Sequence, residues 1–584
     1  MTQKDLQFFF KRRMVELLHE DTLDSYRVRV NNAMTILIEL NGVLENWLNG
    51  NVKRYETVDY CLQECKSLVE CDDCINYDEI EMSKDILNQQ IETFVSKNKN
   101  GVINTVETMK LQFMVQKCIL FNKDNYLNKL LGKIREEINI TEDIPEEGLI
   151  PKLTKLDNYI SAFACELLRL GYSKNHLYKF FIAFKKNKKH MCFREAFDDM
   201  QRKLSSLTKQ DYTVIFKLWF QTEELASSAN ANIAYLKTEV PDDLKESILR
   251  KNISYKKTNA KTRFFIMQKS ALDSAMAAKK CYDDLSRELD LNLEYTKNVE
   301  MPSTALVFCP QLQQNRQDYH VTLEHIYVLD KGTFATEVGK SLSEAMNNIE
   351  KNASISNDVK DRISVALRHL RIGDHQLEIE QQFINYWIAI EFIFASASSK
   401  ESTFERIKNF LPNILGSGYI KRNCLYLNKM LRGNHFIGEE DFWWEKSEEE
   451  KDYLINSLSN NILMQYRMRK MKAHLRNSDK RKAYINNHKK NLEQHISRIY
   501  RLRNELIHEA AIKQDIANVT SNLRSYLIYV LNQLIDYFNH NDNICTANNM
   551  SQFFWSYENK MILVSKSNDI NTIMNIPIAV GYVS

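Results

Sequence analysis

A mostly α-helical protein of several domains is what this sequence predicts, and three observations carry the prediction. Glycine and proline are scarce, 14 and 7 in 584 residues, roughly a third of average usage, which favours long helices with few sharp turns. Apolar residues recur at helical spacing over long stretches. The length exceeds what one hydrophobic core supports, so two to four domains are expected.

Composition bounds the classes further. With 44% hydrophobic and 27% charged residues, the chain has the balance of a globular protein. Its net charge of +3 means that any nucleic-acid surface must be a local patch. No run of 18 apolar residues occurs, since even 383–398 carries Asn385 and Glu391, so no membrane span is expected. The opening Met1-Thr-Gln-Lys-Asp-Leu-Gln-Phe-Phe-Phe-Lys-Arg-Arg13 lacks the order of a signal peptide. Eleven cysteines, odd in number and irregular in spacing, fit a reducing cytoplasm better than a disulfide framework. A soluble, cytoplasmic protein is expected.

Along the chain, residues 1–295 read as helix after helix, with segments such as Leu37–Trp47 and Val214–Phe220 at helical apolar spacing. A polar break at Thr141–Pro151 divides this region into two helical subdomains. Gly171-Tyr-Ser-Lys-Asn-His176 reads as a helix end and restart, with Ser173 as N-cap. The texture then changes. Thr304–Cys309 and His320–Leu329 are β-branched and aromatic, so 296–345 is expected to be a small mixed α/β connector with a strand pair. A helical domain over 346–545 follows, loosened at 399–445 around Gly416-Ser-Gly418 and Arg432-Gly-Asn434. The extension 546–584 mixes Phe553-Phe-Trp555 with Met561-Ile-Leu-Val564, a packed tail with some strand.

Chemistry concentrates in Arg498-Ile-Tyr-Arg-Leu-Arg503-Asn504-Glu-Leu-Ile-His508. Asn504 and His508 are four apart and share a helix face. Arg503 lies about 100° round but is long enough to swing toward Asn504. An imidazole moves protons near neutral pH, and a guanidinium holds a phosphate bidentately. Together they suit phosphodiester cleavage without a metal. Arginine and histidine at this spacing also occur at Arg13…His19, Arg469…His474 and Arg481…His488, so the setting distinguishes the copy at 503. Asn504 directly follows Arg503, and Leu502, Leu506 and Ile507 surround it. The bland alternative is a charged helix face in which Glu505 and Glu509 pair Arg501 and Arg503.

Upstream lies Phe383-Ile-Asn-Tyr-Trp387-Ile-Ala-Ile-Glu391-Phe-Ile-Phe394, an apolar helix interrupted by one carboxylate. Trp387 reads as a core anchor. Glu391, set between Ile390 and Phe392, needs a partner, for which an arginine of the 498–503 set is a candidate. Together, the Trp-x-Ala-x-Glu helix and the later Arg-Asn-x(3)-His helix resemble the HEPN superfamily, in particular the HEPN domains of bacterial antiviral defence proteins. The resemblance covers 346–545, a third of the chain.

It implies a C-terminal HEPN-like helical bundle acting as a metal-independent endoribonuclease that leaves a 2′,3′-cyclic phosphate and requires no cofactor. Arg503, Asn504 and His508 are then catalytic, and Trp387 and Glu391 supporting. HEPN ribonucleases usually assemble the site from two copies of the motif, so a homodimer or higher oligomer is implied. The family's biology implies an antiviral, abortive-infection or toxin-like effector with RNA, tRNA included, as substrate. Its N-terminal region would sense a phage-derived or protein trigger. The rival reading is a non-catalytic HEPN-like scaffold that binds RNA or protein.

Two further clusters stand out. Residues 467–490 hold Arg467, Arg469, Lys470, Lys472, Arg476, Lys480, Arg481, Lys482, Lys489 and Lys490 against the single acid Asp479. With Tyr466, His474 and Tyr484 interleaved and Arg498 beyond, this strip suits RNA guidance; a solvated helix face is the plain alternative. Lys185-Lys-Asn-Lys-Lys-His190 is a smaller basic cluster. Cys61, Cys65, Cys71 and Cys74 have spacing from which a structural zinc, and with it a zinc-dependent nucleic-acid binder, is an alternative to buried core thiols. Gly-rich phosphate loops, serine-hydrolase elbows and His-Glu-x-x-His runs are absent from the sequence.

Overall fold

The structure, a computed structural model, is mostly helical with one antiparallel sheet. It describes residues 1–19, 31–52, 55–77, 83–98, 104–140, 142–186, 192–242, 244, 255, 259–292, 295, 298–309, 318–323, 342–376, 378–396, 400–508, 516–540 and 549–577, apart from the side chains of Asp318, Tyr319, His508 and His540. The chain forms two compact units, one of Met1–Glu166 with Asp330–Ser584, the other of Leu167–Leu329.

The larger unit begins with α1 (Gln3–Leu18), α2 (Ala33–Leu48), α3 (Tyr55–Glu70), α4 (Lys84–Asn98), α5 (Thr105–Asn122), α6 (Tyr126–Ile138) and α7 (Glu146–Arg169). Local chemistry starts several of these helices. Thr2 and Asp5 close a capping box on α1, as Asn32 and Thr35 do on α2. The α2 helix packs on α3 and α5 through Leu37, Leu40 and Leu44, all fully buried. The break expected at Thr141–Pro151 falls between α6 and α7, which lie in this one unit, with Pro151 in the opening turns of α7; Thr141 itself lies outside the described residues. The unit boundary falls instead near the end of α7. There Gly171 at φ +103 lets the Tyr172 N–H reach back to the Leu167 carbonyl at 3.2 Å, a left-handed closure that suits glycine.

The smaller unit holds α8 (Lys174–Lys186), α9 (Phe193–Ser205), β1 (Gln210–Phe220), α10 (Glu223–Asn232), β2 (Leu236–Lys237), β3 (Thr262–Ala271), α11 (Ser274–Asp290), β4 (Val299–Glu300), β5 (Thr304–Phe308) and β6 (Asp318–Thr322). The strand order is β2-β3-β1-β5-β6, with β4 also on β1, and the pairings are antiparallel. The central pair runs from Gln210 opposite Ala271 to Trp219 opposite Thr262.

Val214–Phe220 is therefore a strand, contrary to the helical expectation. Val214, Phe216 and Leu218 join one core with Ala278 and Leu285 of α11, while Ile215 joins Phe264 and Leu306 on the other face. A strand buried on both faces loses its alternation and cannot be told from a buried helix by periodicity. The strand expected at Thr304–Cys309 is present as β5, and β6 covers the start of the next; residues 324–329 lie outside those described. The sheet thus reaches back to Gln210, well before the connector expected at 296–345.

Asp273, fully buried, organises this unit. Its carboxylate accepts from Ala275 N and Met276 N at the start of α11, each at 3.0 Å, and from Ser173 N at 2.7 Å and Ser173 Oγ at 3.0 Å. Ser173 Oγ in turn accepts from His176 N at 3.1 Å, the N-cap expected from the sequence.

The larger unit resumes with α12 (Leu342–Lys351), α13 (Asn357–Asp374), α14 (Ile379–Phe394), α15 (Thr403–Ser417), α16 (Tyr419–Gly433), α17 (Glu448–Ser457), α18 (Ile462–Arg476), α19 (Ser478–His508), α20 (Ile516–His540), α21 (Met550–Lys566) and α22 (Ile570–Met574). Of the stretch expected to be loose, 403–417 and 419–433 are helix, whereas 434–442, just beyond Arg432-Gly433, are turns. Gly416 is buried in α15, where an added Cβ would lie 3.0 Å from Met561 Sδ. Met561–Val564, expected to include strand, is helical in α21, which packs on α15.

Two buried charged groups tie this unit together. Arg481 of α19, fully buried, donates from Nε to the Val564 carbonyl at 3.0 Å and from Nη1 to the carbonyls of His474 at 3.2 Å and Leu475 at 3.1 Å; its Nη2 reaches Ser567 O. It thus clasps the ends of α18 and α21. The second is a cluster of ions. Arg498 Nε meets Glu39 Oε2 at 3.0 Å, its Nη2 meets Glu64 Oε2, and Arg501 pairs with Glu39. Asn31 Nδ2 donates to Glu39 Oε2 at 2.9 Å and to Glu64 Oε1 at 3.4 Å. Burial pulls Arg501 down to about 10.

Two outcomes follow for stability. Arg481→Ala, which leaves buried carbonyls without donors, is expected to cost about 3–5 kcal/mol in chemical denaturation, and exposed Lys482→Ala less than about 0.5 kcal/mol. Burial depresses His495, whose Nδ1 lies 2.9 Å from Tyr526 Oη, to about 3, against about 6.5 in an unfolded chain. The unfolded state then binds the extra proton, so this contribution is full above pH 6.5 and is lost as pH falls toward 3. Urea titrations across that window should show stability falling with pH, and His495→Gln should lower the slope by about 1.4 kcal/mol per pH unit.

Candidate active site

The motif residues sit where α14 and α19 run side by side. Trp387 is buried, and its ring lies 6.0 Å from that of Tyr500. Tyr500 stacks in turn on Phe404 at 4.0 Å. The Trp387–Tyr500 contact joins the two helices, and Phe404 of α15 braces the Tyr500 ring. One turn further along each, Glu391 follows Trp387 by four residues and Arg503 follows Tyr500 by three.

There the Glu391 Oε1 and Arg503 Nη2 atoms lie 3.7 Å apart, with the side chains 30% and 25% exposed. The carboxylate in the apolar helix thus has the arginine partner that its setting required. Arg503 Nη1 donates to Asn504 Oδ1 at 3.1 Å. Its Nε is buried and has no hydrogen-bond partner among the described residues. The guanidinium is thus held from two sides, with its side chain one-quarter exposed. His508 closes α19, one turn beyond Asn504; its side chain lies outside the described residues.

Three cations of the basic strip are held in ion pairs with acids outside it. Arg467 is buried against Glu16. Arg469 pairs with Glu146, and Lys472 reaches Asp452 at 2.6 Å and Glu448 at 3.2 Å. Lys470 donates to Tyr466 Oη at 3.1 Å. Arg481 and Arg498 are the buried groups described above. Arg467, Arg481 and Arg498 therefore do not line an RNA surface, which corrects the expectation for them. The counter-ions come from Glu16, Glu39, Glu64, Glu146, Glu448 and Asp452, distant in sequence, so counting charges within 467–490 missed them. Arg476, Lys480 and Lys482 stay exposed with no ion pair among the described residues.

The interleaved aromatics are also packed. His474 stacks on Tyr484 at 4.1 Å, and Tyr419 on His488 at 3.6 Å. Burial lowers His474 to about 4. Of the smaller basic cluster, Lys185 and Lys186 end α8 exposed, and 187–190 lie outside the described residues.

The four cysteines divide. Cys61 and Cys65 are buried along α3, Cys74 is buried beyond its end and Cys71 is exposed. Burial raises the Cys61 and Cys65 thiols, and Cys74 to about 12. Among the described residues, no three His, Cys, Asp or Glu side chains are grouped to hold a metal ion. No helix among them is long and apolar enough to cross a membrane.

Sequence reasoning overlooked the Glu39–Glu64–Arg498–Arg501 cluster, although Glu39 between Ile38 and Leu40 is the same signal that marked Glu391. Comparison of this chain with protein-family models, curated proteins and solved structures gives no match.

Proposed function

We propose that the chain is a metal-independent endoribonuclease of HEPN type, with Arg503, Asn504 and His508 as its catalytic residues. The observation that carries this reading is the partly exposed Arg503 guanidinium, oriented by Glu391 and Asn504 one turn before His508. In the reaction, the ribose 2′-oxygen attacks the adjacent phosphorus while the bond to the 5′-oxygen breaks. The products are a 2′,3′-cyclic phosphate and a 5′-hydroxyl. His508 supplies the proton transfer, as base toward the 2′-hydroxyl or acid toward the leaving oxygen. Arg503 stabilises the charge that gathers on the phosphoryl oxygens. Asn504 holds the guanidinium.

With one motif per chain, the active form is a homodimer whose α19 ends face each other across the two-fold axis. An antiviral or toxin-like role, with the N-terminal helices responding to a phage-derived or protein trigger, accords with the resemblance. A non-catalytic helical scaffold is the second reading. The ion pair between Arg503 and Glu391 favours it, because a paired guanidinium already serves a structural end.

His508→Ala decides between them. Cleavage of total RNA or tRNA in EDTA should fall by about 10²–10⁴-fold, the usual contribution of general acid–base catalysis. Arg503→Ala should be similarly inactive and Arg503→Lys only partly active, a point charge replacing a planar fork. His19→Ala, at a decoy spacing, should cut like the parent. If His508→Ala also does, the scaffold reading stands.

The remaining basic surface gives a separate outcome. Replacing Arg476, Lys480 and Lys482 together with Gln should weaken RNA binding and lower its salt dependence by up to about three counterions, with folding unchanged. Unaltered affinity in a filter-binding salt series would make these residues a solvated face only.

A further inference from the structure

The α5 helix is apolar on two sides. Leu111, Val115 and Cys118 are buried, and α5 packs on α2 and α4. Its opposite side carries Val106, Met109, Phe113 and Leu120, exposed at 61, 57, 57 and 59%, and Phe121 at 42%. Ile86 of neighbouring α4 is also exposed. Single exposed apolar residues are ordinary, but a contiguous stripe along one helix marks a contact surface.

The spacing of the stripe points to what covers it. Val106, Phe113 and Leu120 are seven residues apart with Met109 between the first two and Gln116 between the second two, an a/d spacing of helices that pair along their length with one polar d position. Val106 and Leu120 are also symmetric about Phe113, while Met109 mirrors onto the aliphatic stem of Lys117. A two-fold axis through Phe113 places Val106 of one copy against Leu120 of the other, the self-complementarity that an isologous contact requires. Buried completely, the exposed parts of these five residues offer at most roughly 500 Å² per copy, and Ile86 adds to it. That meets the roughly 1,000 Å² in total at which specific interfaces begin. The flanking cations are compatible: Lys110 pairs with Glu107 at 3.0 Å, and the Lys117 ammonium lies 5.0 Å from the Phe113 ring centroid.

We propose that α5 is a two-fold interface, on which α5 of a second copy of this chain lies antiparallel with Phe113 against Phe113. The contact is independent of the Arg503 helix and of whether the chain cuts RNA.

Cysteine crosslinking of the full chain reads the symmetry directly. Phe113→Cys under mild oxidation should give a disulfide-linked dimer absent from the parent, whose own cysteines, Cys71 and Cys192 being exposed among the described residues, set the background. Val106→Cys alone should not link, since the two copies of that residue lie about 20 Å apart along the helices at 1.5 Å per residue. Val106→Cys mixed with Leu120→Cys should link. Phe113→Glu, on an exposed face and so harmless to folding, should raise the dissociation constant measured by sedimentation by roughly tenfold or more. If the chain also pairs through α19, Phe113→Cys joins those dimers into larger species. Absence of a Phe113→Cys crosslink above the parent overturns the proposal and leaves the stripe to a different partner.

Discussion

Everything near the Arg503 motif depends on one buried set of ions. Glu39 of α2 and Glu64 of α3 meet Arg498 and Arg501 of α19, with Asn31 bridging the two carboxylates. Charges removed from water are tolerated only as each other's partners, and losing one strands the rest. The cluster therefore joins segments more than 400 residues apart in sequence into one unit. It also fixes the roll of α19, because Arg498 and Arg501 lie one turn apart on the same face. With that face turned toward α2 and α3, Arg503 is left toward α14 and Glu391.

The helical character of the chain was legible because it rests on local rules: scarce glycine and proline, helical spacing, and caps such as Ser173. The strand at Val214–Phe220 was not. Its two buried faces give a continuous apolar run, and which period such a run adopts is decided by the sheet it joins. Gly416 was misleading for a related reason. Glycine followed by serine and glycine suggests a loop, whereas here the missing side chain makes room for Met561. Tertiary packing overrode local propensity at both places.

At the site the same division holds. A carboxylate between Ile390 and Phe392 needs a cation, and Arg503 provides it; that inference used only desolvation, which acts wherever the residue is placed. The basic strip was legible only in part, because the contacts that bury Arg467 and Arg481 are not local. Arg467 and Arg481 look like their neighbours Arg476 and Lys480 in sequence, yet the first two are buried and bonded and the last two are in water. Periodicity could have separated some of them, since Arg467 and Arg481 fall among apolar positions of their helices.

The α19 helix has a mechanical consequence. It is gripped at Arg481 by the carbonyls near α18 and α21, and again at Arg498 and Arg501 by the carboxylates of α2 and α3. At 1.5 Å per residue the two grips are about 25 Å apart. Arg503 lies only about 3 Å beyond the second. The helix is thus a beam clamped twice, with a very short overhang. Motion at its far end is resisted by the second clamp, whereas a small shift of α2 or α3 reaches the last turn almost undiminished.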